Sequence, residues 1–169
     1  QYRSNAYYHL GEVAIQNNQD DLAIDRFLRV DRSELVIEAR KQLANLAMKQ
    51  NTPDQALRWF SEARLLFPNF KHELYLAEAQ FQTANRMADA AIPLLTEAFM
   101  REPDSVEILY TRALAYEQLD DITGAENDLR KILELKPNDP DALNALGYTL
   151  ADRTDRYEEA LSLIENALS

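Results

Sequence analysis

The side chains able to do chemistry are few and scattered. Neither of the two histidines, His9 and His72, has a second histidine or a set of carboxylates at ligand spacing, and Glu12, three residues after His9, stands alone, so the sequence carries no zinc or di-metal pattern. The absence of cysteine removes disulfides and thiolate ligands. Three isolated glycines make neither a phosphate-cradling loop nor a Gly-x-Ser-x-Gly nucleophile elbow. The paired carboxylates Asp20-Asp21, Asp120-Asp121 and Glu158-Glu159 fall in turns or in first helical turns, where they complement the helix dipole rather than form an acid–base dyad. No set of residues supports an enzyme, and none implies a cofactor.

Charge narrows the partners. The net charge is −11, and it is uneven: residues 1–85 hold 10 basic and 11 acidic groups, residues 86–169 hold 8 and 18. Such a surface opposes nucleic-acid phosphates and anionic lipid, and it suits either solubility alone or a basic partner segment. The longest apolar run, Ala90 to Leu95, is far too short to span a membrane, and no basic-then-apolar signal segment opens the chain, so no membrane contact is expected of these residues. The chain starts at Gln1 without an initiator methionine and stops at Ser169 where a closing proline is due, so it reads as a piece of a longer array.

The elements are helices in pairs. In residues 106–139, Leu109, Ala113, Tyr116 and Leu119 share one face of a helix, and Ala125, Leu129, Ile132 and Leu133 share one face of a second. Asp120 to Gly124 breaks the two, and Pro137 closes the unit. Two helices of about a dozen residues cannot hide both faces alone, so the unit needs copies beside it. Pro103 and Pro68 recur 34 and 35 residues apart from the next closing proline. Counted from Val106, small residues sit at place 8 (Ala113) and place 20 (Ala125), with proline at place 32. This pattern resembles the tetratricopeptide repeat, whose period is about 34 residues. The resemblance covers nearly the whole chain and implies an all-α, right-handed α-solenoid of five helix-turn-helix units in a single array, at about 4–36, 37–70, 71–105, 106–139 and 140–169.

Local signals add detail. Thr52-Pro53-Asp54-Gln55 reads as a capping box with proline at the first helical position. The first unit has Asp31-Arg32-Ser33 where a closing proline is due. An extra residue is expected around Asn85-Arg86-Met87, Pro93 near the start of its helix, and a longer turn over residues 152–156. No stretch alternates like a strand.

The resemblance also implies a site: the first helices of such repeats line a concave groove that binds a protein or peptide. Carried over place by place, it offers Tyr8 and His9, then Lys41 and Asn45, His72 and Tyr75, Tyr110, Leu114 and Glu117, and Asn144, Tyr148 and Asp152. Tyr8, Tyr75 and Tyr110 are expected on one face, at place 5. A clamp for a C-terminal carboxylate is half present in Lys41 and Asn45, but Leu76 stands where its second asparagine belongs. The wording of Leu146 to Ala160 is similar to the large outer-membrane tetratricopeptide lipoproteins of proteobacteria, and among them to one that binds a periplasmic carboxyl-terminal processing protease and delivers substrates to it. That resemblance implies an adaptor in the periplasm, anchored to the outer membrane, although a chain without cysteine fits the cytoplasm as well. The competing reading is an architectural spacer in a longer solenoid. Self-association through 140–169 is expected if Leu146, Leu150, Leu161, Ile164 and Leu168 leave an apolar face uncovered.

Overall fold

A computed structural model describes residues 2–32 and 34–168; Gln1, Ser169 and the Ser33 of the Asp31-Arg32-Ser33 boundary lie outside the described residues. Among these, ten α-helices and one 3-10 turn make up the structure and no strand occurs, so the fold is all-α. The helices are α1 (Tyr2–Gln16), α2 (Asp20–Leu28), α3 (Leu35–Lys49), α4 (Pro53–Leu66), α5 (Lys71–Ala84), α6 (Ala88–Arg101), α7 (Val106–Gln118), α8 (Ile122–Leu135), α9 (Pro140–Arg153) and α10 (Tyr157–Ala167), with the 3-10 turn over Pro68–Phe70. Two compact units divide the chain, at 1–81 and 82–169.

In the first unit α1 packs on α2, α2 on α3 and α3 on α4, and α1 also touches α3. Ala14, Ala23, Phe27, Val30, Val36, Leu43, Ala44, Ala56, Phe60 and Ala63 are buried at these crossings. Small residues permit the close approach: a Cβ on Gly11 would lie 2.6 Å from the Phe27 ring. Two charges are buried here too. The Arg40 guanidinium donates to the Phe27 carbonyl at 3.4 Å, and loss of water lowers its pKa, with Glu62 pulling the other way. Arg64 is paired with the buried carboxylate of Glu78.

In the second unit α6 packs on α7, α7 on α8, α8 on α9 and α9 on α10. Leu109, Ala113, Leu129, Ile132, Ala142, Leu146, Leu150 and Ala160 form the core. Arg112 grips Asp128 through two 2.7 Å hydrogen bonds, and its guanidinium lies 4.1 Å from the centre of the Phe99 ring, so one buried cation ties α6, α7 and α8 together.

The turn inside a repeat follows one rule four times. Asn18, Asn51, Arg86 and Asp120 all have left-handed backbone, with φ of 57, 57, 59 and 61°. The residue after each donates its N–H back across the helix end: Gln19 to Ala14, Thr52 to Ala47, Met87 to Gln82 and Asp121 to Tyr116, at 2.8–2.9 Å. This satisfies carbonyls that the last helical turn leaves without partners.

Several local expectations are corrected. Thr52 makes no capping bond; its hydroxyl donates instead to the Ala47 carbonyl at 3.1 Å, closing the helix before it rather than opening the helix after it. The turn at Asn85–Met87 is no longer than its counterparts, because the extra residue sits earlier, in α5, which has 14 residues where α7 has 13. Pro93 lies in the interior of α6 rather than at its start. Of the five residues expected in the last turn, Asp152 and Arg153 are still helical, and Thr154 is extended rather than left-handed.

Candidate functional site

Counting back from the left-handed residues gives a register that the closing prolines do not. Ten places before Asn18, Asn51, Arg86 and Asp120 stand Tyr8, Lys41, Leu76 and Tyr110. Leu76, not Tyr75, is therefore the counterpart of Tyr110. Tyr75 occupies the place of the buried Leu109, and its ring faces α4, with the Arg64 guanidinium 4.4 Å from its centre. The expected face shared by Tyr8, Tyr75 and Tyr110 is thus broken at Tyr75, since one residue turns a helix by about 100°.

In the first unit Tyr8 is core, 9% exposed, with its ring edge-on to Phe27 at 5.6 Å. Its phenol pKa is raised by burial and by the nearby carboxylates Glu12 and Glu38, and Gln42 of α3 bonds it. His9 is exposed and bonds Glu12 at 2.7 Å. Lys41 pairs with Glu38 at 3.0 Å, Asn45 is exposed, and His72 is half-buried. Lys41 and Asn45 stay an incomplete carboxylate clamp in the corrected register, where the second asparagine's place is the buried Ala77.

The second unit gathers more. Two bonds link α9 to α7 and to the turn after it: Thr149 donates to Glu117, and Arg153 donates to Asp120 at 2.7 Å. Tyr110 and Leu114 are half-buried on this face, and Asn144 and Tyr148 are exposed one helical turn apart. The Tyr110 phenol is pushed up by burial first and then by Asp141, Glu117 and Asp139, so the field here is negative. Glu117, Ile122, Tyr148, Thr149, Asp152 and Arg153 line a pocket of about 170 Å3. Sequence reasoning missed Ile122, Thr149 and Arg153; for the last two, the 32-residue and 33-residue separations of their bonds to Glu117 and Asp120 are about one repeat length, which was the available signal.

Among the described residues no three His, Asp or Glu side chains gather as metal ligands, and no helix is long and apolar enough to cross a membrane. What these faces offer is shape, aromatic rings and negative charge.

Paired helices at a 33–35-residue period define a class of repeat scaffold. Two family models described as tetratricopeptide repeat match residues 41–105 and 82–147, together more than half of the chain, and the chain belongs to the tetratricopeptide repeat family. A curated relative is the TPR repeat-containing protein PA4667 of Pseudomonas aeruginosa, 33% identical over 162 residues, which are 96% of this chain and 28% of that protein. The chain thus spans little more than a quarter of that relative's length. Among solved structures, MamA from residue 41 to its end, from Desulfovibrio magneticus RS-1, has a TM-score of 0.72 at 16% identity, covering 98% of this chain and 93% of that one. A crystal structure of MamA has a TM-score of 0.69 at 19% identity, covering 94% and 92%. These likenesses are of fold. Tetratricopeptide repeats generally serve as scaffolds for protein–protein contact.

Proposed function

We propose that this chain is a non-catalytic adaptor that holds a partner protein or peptide on the faces made by its first helices, and that it delivers substrates to a periplasmic carboxyl-terminal processing protease as part of an outer-membrane-anchored lipoprotein. The observation that supports the binding face is the pair of bonds from α9 to Glu117 and Asp120, beside which Glu117, Tyr148 and Asp152 line one pocket, with Leu114 and Tyr110 one and two turns before Glu117 on α7. Aromatic anchors at the centre of such a face supply most of an interface's energy. The protease and the compartment rest on the resemblance of residues 146–160.

Titration calorimetry of the chain against the purified protease tests the reading. Tyr110→Ala with Leu114→Ala should weaken binding by about 2–4 kcal/mol. Leu65→Ala with Met100→Ala, exposed positions on the second helices α4 and α6, should leave it unchanged. Loss of binding on the second-helix change alone would move the partner to the other side. No binding at all would leave the spacer reading.

A further inference from the structure

The pocket between α7, the start of α8 and α9 has dimensions and chemistry of its own. Its volume of about 170 Å3 is well below the roughly 300–1,000 Å3 of small-molecule sites, and suits one side chain. Ile122 and the exposed ring of Tyr148 give it apolar and aromatic surface, and Glu117 and Asp152 give it carboxylates. Glu117 uses Oε1 to accept from Thr149, and Asp152 uses Oδ2 for the Arg153 Nε at 2.9 Å. Oε2 of the first and Oδ1 of the second receive no donor among the described residues. The single cation, Arg153, is already matched, since its Nη1 also bonds Asp120 at 2.7 Å. Two lining carboxylates, with Asp120 beside them, against one guanidinium leave the site negative, within a stretch, 86–169, that has 18 acidic and 8 basic groups.

We propose that this pocket is a subsite for one basic side chain, lysine or arginine, of an extended partner segment. The aliphatic stem lies along Ile122 and over the Tyr148 ring, and the cationic head bonds the unused oxygens of Glu117 and Asp152. A cation over an aromatic face gains further attraction. The surrounding acidic surface steers a basic segment toward the pocket before contact. This assignment deepens the adaptor reading and rests on it, but its test needs no natural partner.

Amide NMR titrations of the whole chain with N-acetylated tetralysine, tetraarginine and tetraglutamine amides decide the matter. The basic peptides should produce saturable shifts centred on residues 117, 148, 149 and 152, and tetraglutamine should not. Asp152→Asn, at an exposed side chain that pairs with Arg153, should raise Kd about five-fold, the worth of one exposed charge contact. Glu117→Gln should do the same, and adding Tyr148→Ala should weaken binding further. Asp104→Asn with Glu165→Gln removes two exposed charges elsewhere in the unit and should change Kd less than about two-fold. Shifts spread over the acidic surface without a centre would overturn the proposal, and so would equal weakening by the remote pair. Either result would leave the adaptor reading standing, whereas protease binding through the second helices would sink that reading with the pocket intact.

Discussion

At the scale of single residues, close approach and charge decide what can change. A Cβ on Gly147 would stand 2.7 Å from Ile164 and 3.0 Å from the Ala160 carbonyl, and Ala125 is fully buried. Gly147→Leu or Ala125→Leu should therefore destabilise by about 1–3 kcal/mol through overpacking, read as a lowered midpoint in urea unfolding; unchanged midpoints for both would mean that these crossings are looser than the structure shows. Glu126 makes a pH prediction. Arg156 and then Arg130 hold its carboxyl down to about 2 from an ordinary 4.5, with Arg156 Nη1 at 2.8 Å and Arg130 Nε at 2.8 Å, although burial opposes the shift. The folded state thus binds this proton less readily than the unfolded chain, so the contribution is whole above pH 4.5 and fades as pH falls toward 2. Glu126→Gln should lower stability by about 1 kcal/mol at pH 7, since the arginines are largely solvated. The gap between variant and parent should close on acidification below 4.5; a constant gap would deny the ion pairs their part.

At the scale of elements, the turn geometry is the main lesson. A non-glycine residue at positive φ costs about 1 kcal/mol, and Arg86 adopts it at 59° on the surface. Arg86→Gly should raise stability by about 0.5–1 kcal/mol in equilibrium unfolding, because glycine takes this conformation without the Cβ clash; a loss would show that the arginine side chain holds the turn. Asp120 is a poorer place for the same change, since its carboxylate also pairs with Arg153. The helix pairs themselves were legible in the sequence from apolar spacing, as with Leu109, Ala113 and Leu129. The place of the turns was legible too, as at Asp120–Gly124, but not which residue takes the left-handed backbone: asparagine and aspartate tolerate it, arginine carries no such mark, and the conformation is imposed by the two helices joined. The one-residue error at Tyr75 follows from that, since a count between prolines cannot tell whether an insertion lies in the first helix of the repeat, α5, or in Asn85–Met87.

At the scale of the whole chain, the prediction concerns α10. Tyr157, Leu161 and Leu168 are 61, 58 and 84% exposed, whereas Leu146 and Leu150 of the expected apolar face are fully buried, and Ile164 packs over Gly147. The uncovered set is smaller than the spacing suggested, but several neighbouring exposed apolar side chains still tend to find cover. Sedimentation at rising concentration should show self-association that Leu161→Glu with Leu168→Glu suppresses; a monomer at every concentration would refute it. Periodic apolar residues, small residues at places 8 and 20 and closing prolines determined by themselves the helices, their pairing and the family, because those features are set by local spacing and by the need to bury one face of each helix. Tertiary structure alone decided which polar side chains meet. Arg112 with Asp128 and Phe99, Arg64 with Glu78, and the pocket of Glu117, Tyr148 and Asp152 each join residues from different helices, and their contacts depend on side-chain direction at a crossing, which a one-residue change of register turns away.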